Sequence, residues 1–202
     1  MEEYFLGIDP ALGNTAGVLI NNRGDIRHYF NSKYRDTKSK PKSDGYEIKR
    51  LIEIGHFVRA ELSQVLSGTY KLSVCYENYS FESTNRSFSL GELGGVLKTT
   101  LFEFTGDVNL VEPKRLKKFA TWKGNASKDS MMAQALLEAP YLAIIPKKEF
   151  TDDVADAYFL AKYAWYMSNP ESAIANESFT DYLRRRIEVC QKTVRQNKAK
   201  QR

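Results

Sequence analysis

Short strand-like runs and longer helical runs follow one another in an order that few folds accommodate. Five runs have the length and composition of strands: 4–9, 15–20, 26–30, 72–76 and 108–111. Turn-forming residues between Ile20 and Asp25 predict that the first three runs form an antiparallel meander. Helical runs precede each of the other two strands, so the order β-β-β-α-β-α-β-α-α predicts an α/β fold with a mixed five-stranded sheet flanked by helices.

Apolar residues at helical spacing predict four helices. The first is a long amphipathic helix over 46–66, and the second spans 88–104. Ser127 is a candidate N-cap for a third helix that ends near Glu138, and Thr151 is a candidate N-cap for the last core helix. A polar and basic loop is expected over residues 31–45.

The positive charge of the chain is concentrated in two segments. Residues 181–202 carry eight Lys and Arg against two Asp and Glu, a net charge of +6, which leaves the remainder at −1 of the total +5. The second segment runs from Lys114 to Lys128 without an acidic residue. Such clusters are typical of surfaces that bind a phosphate backbone, although charge alone also fits an ordinary solvated face.

Two features of the sequence indicate the cellular location of the protein: its few cysteines and its acidic N-terminus. The chain has only two cysteines, which argues against a disulfide framework or a zinc cluster. The N-terminus is acidic where a signal peptide needs positive charge, and no apolar stretch approaches the length of a membrane span. We therefore expect a cytoplasmic protein with no membrane association.

Two acidic residues stand at the ends of predicted strands. Asp9 ends the first strand and is followed by Pro10, while Glu77 ends the strand at 72–76. Neighbouring strands lie about 5 Å apart, so both carboxylates could reach one cation if these strands are adjacent. Taken alone, Asp9 also fits a turn-forming residue before proline.

A third acidic group lies at the start of the last helix. Asp153 and Asp156 are three residues apart and share one helix face, but Asp152 and Asp156, four apart, could share one as well. Periodicity does not choose between these pairs. Acids in a first turn also stabilise a helix by capping and dipole compensation, with no further role.

Taken together, the acids favour a metal site over these separate explanations. Carboxylates that converge without basic partners repel one another unless a divalent cation binds, and hard oxygen ligands suit Mg²⁺ or Mn²⁺. Two such ions can flank a phosphodiester. The chemistry indicated is phosphodiester hydrolysis.

Four segments of the chain carry a recognisable set of motifs. They are GIDPALGNTAGVLI, CYENYSF with the following LGELGGVLKTTLFEF, VEPKRLKKFATWKGNASKDSMMAQALL, and DDVADAYFLAKYAW, and they cover most of residues 4–165. In content and order they resemble the RuvC-type Holliday junction resolvases. The resemblance implies a ribonuclease H-like fold, a homodimer, and Mg²⁺ dependence with two ions per site and Mn²⁺ as a substitute. It also implies paired nicks in four-way DNA junctions, and hence a role in recombination and repair.

The resemblance also implies roles for individual residues. Its metal ligands correspond to Asp9, Glu77, Asp153 and Asp156, which favours Asp153 over Asp152. Two functional lysines of the family are eleven positions apart, as Lys117 and Lys128 are here; they are expected to contact the phosphate backbone near the cleaved bond, and Lys128 is also expected to act in catalysis. Further candidate DNA contacts in this basic segment are Lys114, Arg115 and Lys118.

Aromatic residues follow the second acid. In the family, an aromatic after this motif stacks on or separates junction bases, and Tyr79 and Phe81 are the candidates here. For Phe88, packing in the core beneath its helix is the favoured interpretation.

The chain also extends beyond the family pattern. We divide it into a nuclease domain at 1–168 and a basic extension at 169–202, whose apolar spacing near 183–194 predicts a basic helix that becomes ordered on DNA. The small size and the Lys- and Asn-rich composition would suit a phage-encoded member acting in the host cytoplasm.

Three other functions compete with junction resolution. A structure-selective nuclease for forks and flaps would use the same metal site. A non-catalytic ribonuclease H-like DNA-binding module would need the basic surfaces but not four acids. An actin-like ATPase could share the GIDxxxxNT opening, but it needs glycine-rich phosphate loops and a much longer chain.

Overall fold

A computed structural model describes residues 1–32, 44–78, 87–106, 108–146, 148–176, 178, 181 and 185. The strands are β1 (Glu2–Asp9), β2 (Ala16–Asn21), β3 (Ile26–Asn31), β4 (Tyr70–Glu77) and β5 (Val108–Val111). The helices are α1 (Asp44–Val65), α2 (Ser87–Phe102), α3 (Pro113–Thr121), α4 (Lys128–Glu138), α5 (Asp152–Ser168) and α6 (Pro170–Asn176), with a 3₁₀ turn at Pro140–Ile144. No helix in the described part of the chain is long and apolar enough to cross a membrane.

The five strands form one mixed sheet in the order β3-β2-β1-β4-β5. β1, β2 and β3 pair antiparallel, as the meander pattern predicted, whereas β4 pairs parallel to β1 and β5 parallel to β4. Parallel neighbours need a crossover connection, and α1 and α2 supply the two that are required. The predicted mixed five-stranded sheet is therefore confirmed.

Each face of the sheet buries a separate apolar core. Side chains that alternate along a strand point to opposite faces, so Phe5 belongs to one core while Leu6 belongs to the other. α1 and α2 cover the Leu6 face, and α3, α4 and α5 cover the Phe5 face. Helices on both faces of the sheet give the three layers expected of an α/β domain.

Helix α5 is the central element of its layer. Its N-cap is Thr151, whose hydroxyl accepts a hydrogen bond from the Val154 amide, and twelve of its seventeen residues are buried. It packs directly across β1 at Gly7, where an added Cβ would lie 2.0 Å from the Ala157 carbonyl oxygen and 2.3 Å from the Ala161 nitrogen. Only glycine permits this approach of helix to strand.

The sequence pattern missed α3 and placed Phe88 wrongly. α3 has only nine residues and its charged side chains outnumber its apolar ones, so its buried stripe of Leu116, Phe119 and Ala120 is too short to stand out. Phe88 lies in the first turn of α2 but is 90% exposed, because the apolar face of that helix begins at Leu93. The expectation that Phe88 packs in the core is therefore wrong.

One residue of the C-terminal extension lies inside the nuclease core. Arg185 is 1% exposed, and its guanidinium lies 5.2 Å from the ring centre of Phe119 and 5.9 Å from that of Tyr166. It also forms an ion pair with Glu138 at the end of α4. The division at residue 168 stays a prediction, and the helix predicted near 183–194 falls largely outside the described residues.

Replacing Gly7 by alanine should destabilise the protein by about 3 kcal/mol, because the new methyl group meets backbone atoms of α5 rather than a flexible side chain. Urea unfolding followed by circular dichroism measures the change. Gly95→Ala is the matched control, since nothing lies within 4 Å of its added Cβ and alanine favours a helix interior. Equal stability of Gly7→Ala and wild type would mean that α5 does not need this close approach.

Candidate metal centre and DNA-contacting surface

Asp9 and Glu77 lie side by side at the ends of the two central strands. The parallel register pairs Ile8 with Tyr76, so the two acids follow at the next position of each strand. Their side chains share a hydrogen bond. Burial raises the pKa of Asp9 well above its usual value, and the negative charges of Glu77, Asp156 and Asp153 raise it further.

The first two turns of α5 bring further carboxylates to the same place. Asp153 and Asp156 both act electrostatically on Asp9, as expected for acids three residues apart on one helix face. Burial and the neighbouring charges of Glu77 and Asp152 raise the pKa of Asp156 to about 7. Among the described residues, no group forms a hydrogen bond with the buried Oδ1 atom of Asp156.

Asp152 has a different partner from its neighbour. Its carboxylate forms an ion pair with Lys128, the first residue of α4. Asp153 instead accepts a hydrogen bond from the side-chain amide of Asn14, in the turn between β1 and β2. The two acids thus differ in their partners, and the choice of Asp153 over Asp152 as a metal ligand stays a prediction.

The donor set fits a divalent cation by its chemistry, although the side chains are not arranged as a closed site. Among the described residues, no three Asp, Glu, His or Cys side chains have the spacing of a ready-made metal site. The fit is instead seen in a buried carboxylate oxygen without a partner and in several buried acids that repel one another. A cation bound by Asp9, Glu77, Asp153 and Asp156 would satisfy both.

The basic residues of α3 face two ways. Lys117 lies near the acids, and its charge opposes the rise in the pKa of Glu77 and Asp156 that burial causes. Lys114 and Lys118 are exposed on the outer face of the helix. Arg115 is only 7% exposed and lies on the inward face, so its predicted contact with DNA does not fit this structure.

Lys128 lies at a helix N-terminus, where a cation is unfavourable unless an anion is close by. Ser127 caps that helix as predicted, and Asp152 provides the anion. The hydrogen bond to Asp152 raises the pKa of Lys128, so this side chain is a firmly charged ammonium beside the acidic cluster. Tyr79 and Phe81, the predicted stacking residues, lie outside the described part of the chain.

Sequence analysis missed two groups of supporting residues. Asn14 orients Asp153, and its only signal was an amide in the turn that follows the first acid. The second group is an ion cluster in which Glu138 pairs with Lys162 at 2.8 Å and with Arg185. Burial and the charge of Arg185 lower the pKa of Lys162 to about 8. A lysine within the apolar run of α5 was the available signal for this cluster.

Two solved structures share the fold of this protein. Both are from Thermus thermophilus. RuvC alone has a TM-score of 0.58 and 20% identity, over 82% of this chain and 95% of that one. RuvC in complex with a Holliday junction substrate has a TM-score of 0.60 and 17% identity, over 81% and 93%. The domain is therefore a mixed-sheet α/β domain with the ribonuclease H-like fold.

The chain is also similar in sequence to enzymes of known function. Crossover junction endodeoxyribonucleases RuvC from Rickettsia bellii and Rickettsia felis are each 28% identical over 155 residues, which is 76% of this chain and 93% and 94% of theirs. The enzyme from Rickettsia conorii is 29% identical over the same length. No protein-family model matches the chain. Over most of its length the chain is therefore similar in sequence to RuvC-type enzymes, the family that its motifs resemble.

The raised pKa of Asp156 predicts a stability that depends on pH in metal-free protein. Between about pH 4 and pH 7 the folded state holds a proton that the unfolded state has released, so this group's contribution to stability falls as the pH rises through that window. In EDTA, the melting temperature of the wild type should therefore fall from pH 5 to pH 8 more steeply than that of Asp156→Asn.

The control for this experiment is Asp25→Asn, which changes an exposed acid. Its pH profile should follow that of the wild type. Millimolar Mg²⁺ should restore much of the stability that the wild type loses at pH 8, because a cation neutralises the repulsion. Identical pH slopes for Asp156→Asn and wild type would show that Asp156 does not carry this penalty.

Proposed function

We propose that this protein is a metal-dependent endonuclease that resolves Holliday junctions by paired hydrolysis of phosphodiester bonds. The observation that carries the proposal is the convergence of Asp9, Glu77, Asp153 and Asp156 at one end of the sheet, with Lys117 and Lys128 beside them. The similar protein from Thermus thermophilus was solved with a Holliday junction substrate. Four-way DNA is therefore the substrate to test first.

The four carboxylates are proposed to hold Mg²⁺, with Mn²⁺ as a substitute and two ions per site. When bound, such ions activate a water and stabilise negative charge at the phosphate. Neighbouring residues hold the four carboxylates in position. Strand pairing fixes Asp9 and Glu77, and the buried helix α5 fixes Asp156. The side-chain amide of Asn14 fixes Asp153. Rigid mounting lets the acids keep their mutual geometry as DNA arrives.

Lys117 and Lys128 are proposed to bind the phosphate backbone next to the acids. Both stand close enough to the cluster to interact with its charges, but Lys128 has an exposed side chain and is paired with Asp152. A DNA phosphate can compete for this ammonium group because an exposed ion pair contributes little to stability. Lys114 and Lys118 extend the same positive surface away from the acids.

A homodimer is proposed because two coordinated cuts in a two-fold junction need two sites. Its candidate interface is the outer surface of α1 and α2, which pack against each other on the face of the sheet away from α5. This surface exposes four large apolar side chains: Ile48, Ile52, Phe88 and Phe102. That the dimer acts in the cytoplasm remains a prediction from sequence.

A broader nuclease that also cuts forks and flaps is the alternative within the same chemistry. Labelled four-way, forked, flapped and linear duplex DNA, each incubated with and without Mg²⁺, separate the possibilities. Preference for the four-way substrate with symmetric nicks supports junction resolution. Equal cutting of all branched substrates supports the broader nuclease, and tight binding without cutting supports a DNA-binding module.

Asp9→Asn, Glu77→Gln, Asp153→Asn and Asp156→Asn should each reduce junction cleavage by at least about a hundredfold while junction binding survives, because each change removes a metal ligand and leaves the basic surface intact. Gel assays of cleavage in Mg²⁺ and of binding in EDTA measure the two properties. Asp152→Asn is the matched neighbour and should be milder. Near-wild-type cleavage by any of the four would remove that residue from the site.

Ile52→Asp should weaken self-association, because it places a charge within the proposed apolar interface. Analytical ultracentrifugation of wild type and variant, free and on uncleaved junction, measures the stoichiometry. Leu137→Asp changes a similarly exposed apolar residue on α4, outside this interface, and should leave the dimer intact. A monomeric wild type in both states would refute the dimer.

A further inference from the structure

Trp122 combines two unfavourable features at the end of α3. Its φ of 68° lies in the left-handed region, and among the described residues it is the one non-glycine residue with a positive φ. Its side chain is also 57% exposed. Left-handed backbone costs a bulky residue about 1–3 kcal/mol, and glycine is the usual residue where a helix ends in this conformation.

The turn that presents Trp122 is held in place by hydrogen bonds. The Trp122 amide donates to the Lys118 carbonyl at 3.0 Å, and the Ala126 amide donates to the Lys123 carbonyl at 3.1 Å. Gly124 packs against α3, where an added Cβ would lie 3.3 Å from the Lys114 carbonyl oxygen. The indole is therefore presented by a defined turn, and its exposure is not a consequence of a loose chain.

Lysine residues lie on either side of Trp122 in the sequence. Lys118 and Lys123 flank it and are exposed, and Lys117 of the same short helix reaches the acidic cluster. The opposite face of α3 is fixed to the core through Phe119, whose ring centre lies 5.0 Å from that of Tyr163. An exposed aromatic ring that is presented by an ordered turn next to exposed lysines is an arrangement that binds a DNA strand with accessible bases.

We propose that Trp122 stacks on an exposed base of the DNA strand whose phosphates are held by Lys118 and Lys123. This rests on the proposed function in one respect, that the basic segment meets DNA. Stacking needs the face of a base, which a continuous duplex covers and a branch point or single strand offers. Trp122 thereby adds a contact that distinguishes branched from linear DNA.

Trp122→Gly and Trp122→Phe test the proposal. Glycine removes the ring and relieves the left-handed backbone, so this variant should melt no lower than the wild type and yet bind four-way DNA about 5- to 100-fold more weakly in EDTA. Phenylalanine keeps a stacking face and should bind within a few-fold of wild type. Tyr141→Ala, an aromatic of matched 56% exposure, should bind as the wild type does.

Intrinsic fluorescence supplies a readout that does not depend on cleavage. The chain has two tryptophans, and Trp165 is 1% exposed. Four-way DNA and a single-stranded oligonucleotide should quench the wild-type emission more than blunt duplex does, because a stacked base quenches indole. Trp122→Phe retains only the buried tryptophan, and its emission should change little with any of the three.

Each other result overturns the inference. Unchanged affinity of Trp122→Gly, equal quenching by duplex and branched DNA, or weaker binding accompanied by a lower melting temperature would assign Trp122 no role in stacking. The proposed function is judged separately by Mg²⁺-dependent cleavage. A wild type that cuts junctions while Trp122→Gly binds normally would reject the stacking contact alone, and selective quenching without cleavage would reject the nuclease alone.

Discussion

The contact between α5 and β1 is the constraint on which the candidate site depends. Asp153 and Asp156 belong to a helix, whereas Asp9 belongs to a strand, and they meet only because the helix axis lies unusually close to the sheet. Gly7 makes this approach possible, since the space that a side chain would fill is occupied by the backbone of α5. Gly7, which has no functional group of its own, thus sets the distance between functional groups in two adjacent layers.

Bringing four acids together opposes folding, and the surrounding residues offset only part of that opposition. Lys117 moderates the charge of Glu77 and Asp156, and Asn14 donates a hydrogen bond to Asp153. Lys128 pairs with a fifth acid beside the cluster, Asp152. Within the part of the chain that the structure describes, an oxygen of Asp156 remains buried without a hydrogen-bond partner. Residues that lower the stability of an otherwise well-packed domain are common at binding and catalytic sites, because function and not stability determines which residues occur there.

Much of this architecture could be predicted from residue order, because apolar periodicity and turn residues act locally. The sheet, the N-caps Ser127 and Thr151, and the grouping of Asp9 with Glu77 follow from such patterns. Burial of charged residues could not be predicted in the same way. Arg115 and Arg185 look like surface cations in sequence, and only tertiary packing turns them inward. The exposure of Phe88 has the same origin, since a helix end can project beyond the core it covers.

The burial of Arg185 has a consequence for where this protein can be shortened. A chain that stops before this residue would leave the carboxylate of Glu138 with Lys162 as its remaining cation, inside a layer that also holds α3 and α5. Losing one member of a buried ion cluster usually costs more than losing a surface charge. Arg185 therefore contributes to the packing of the core although it lies well past the last residue of α5, and a chain cut before it would lose this contribution to stability.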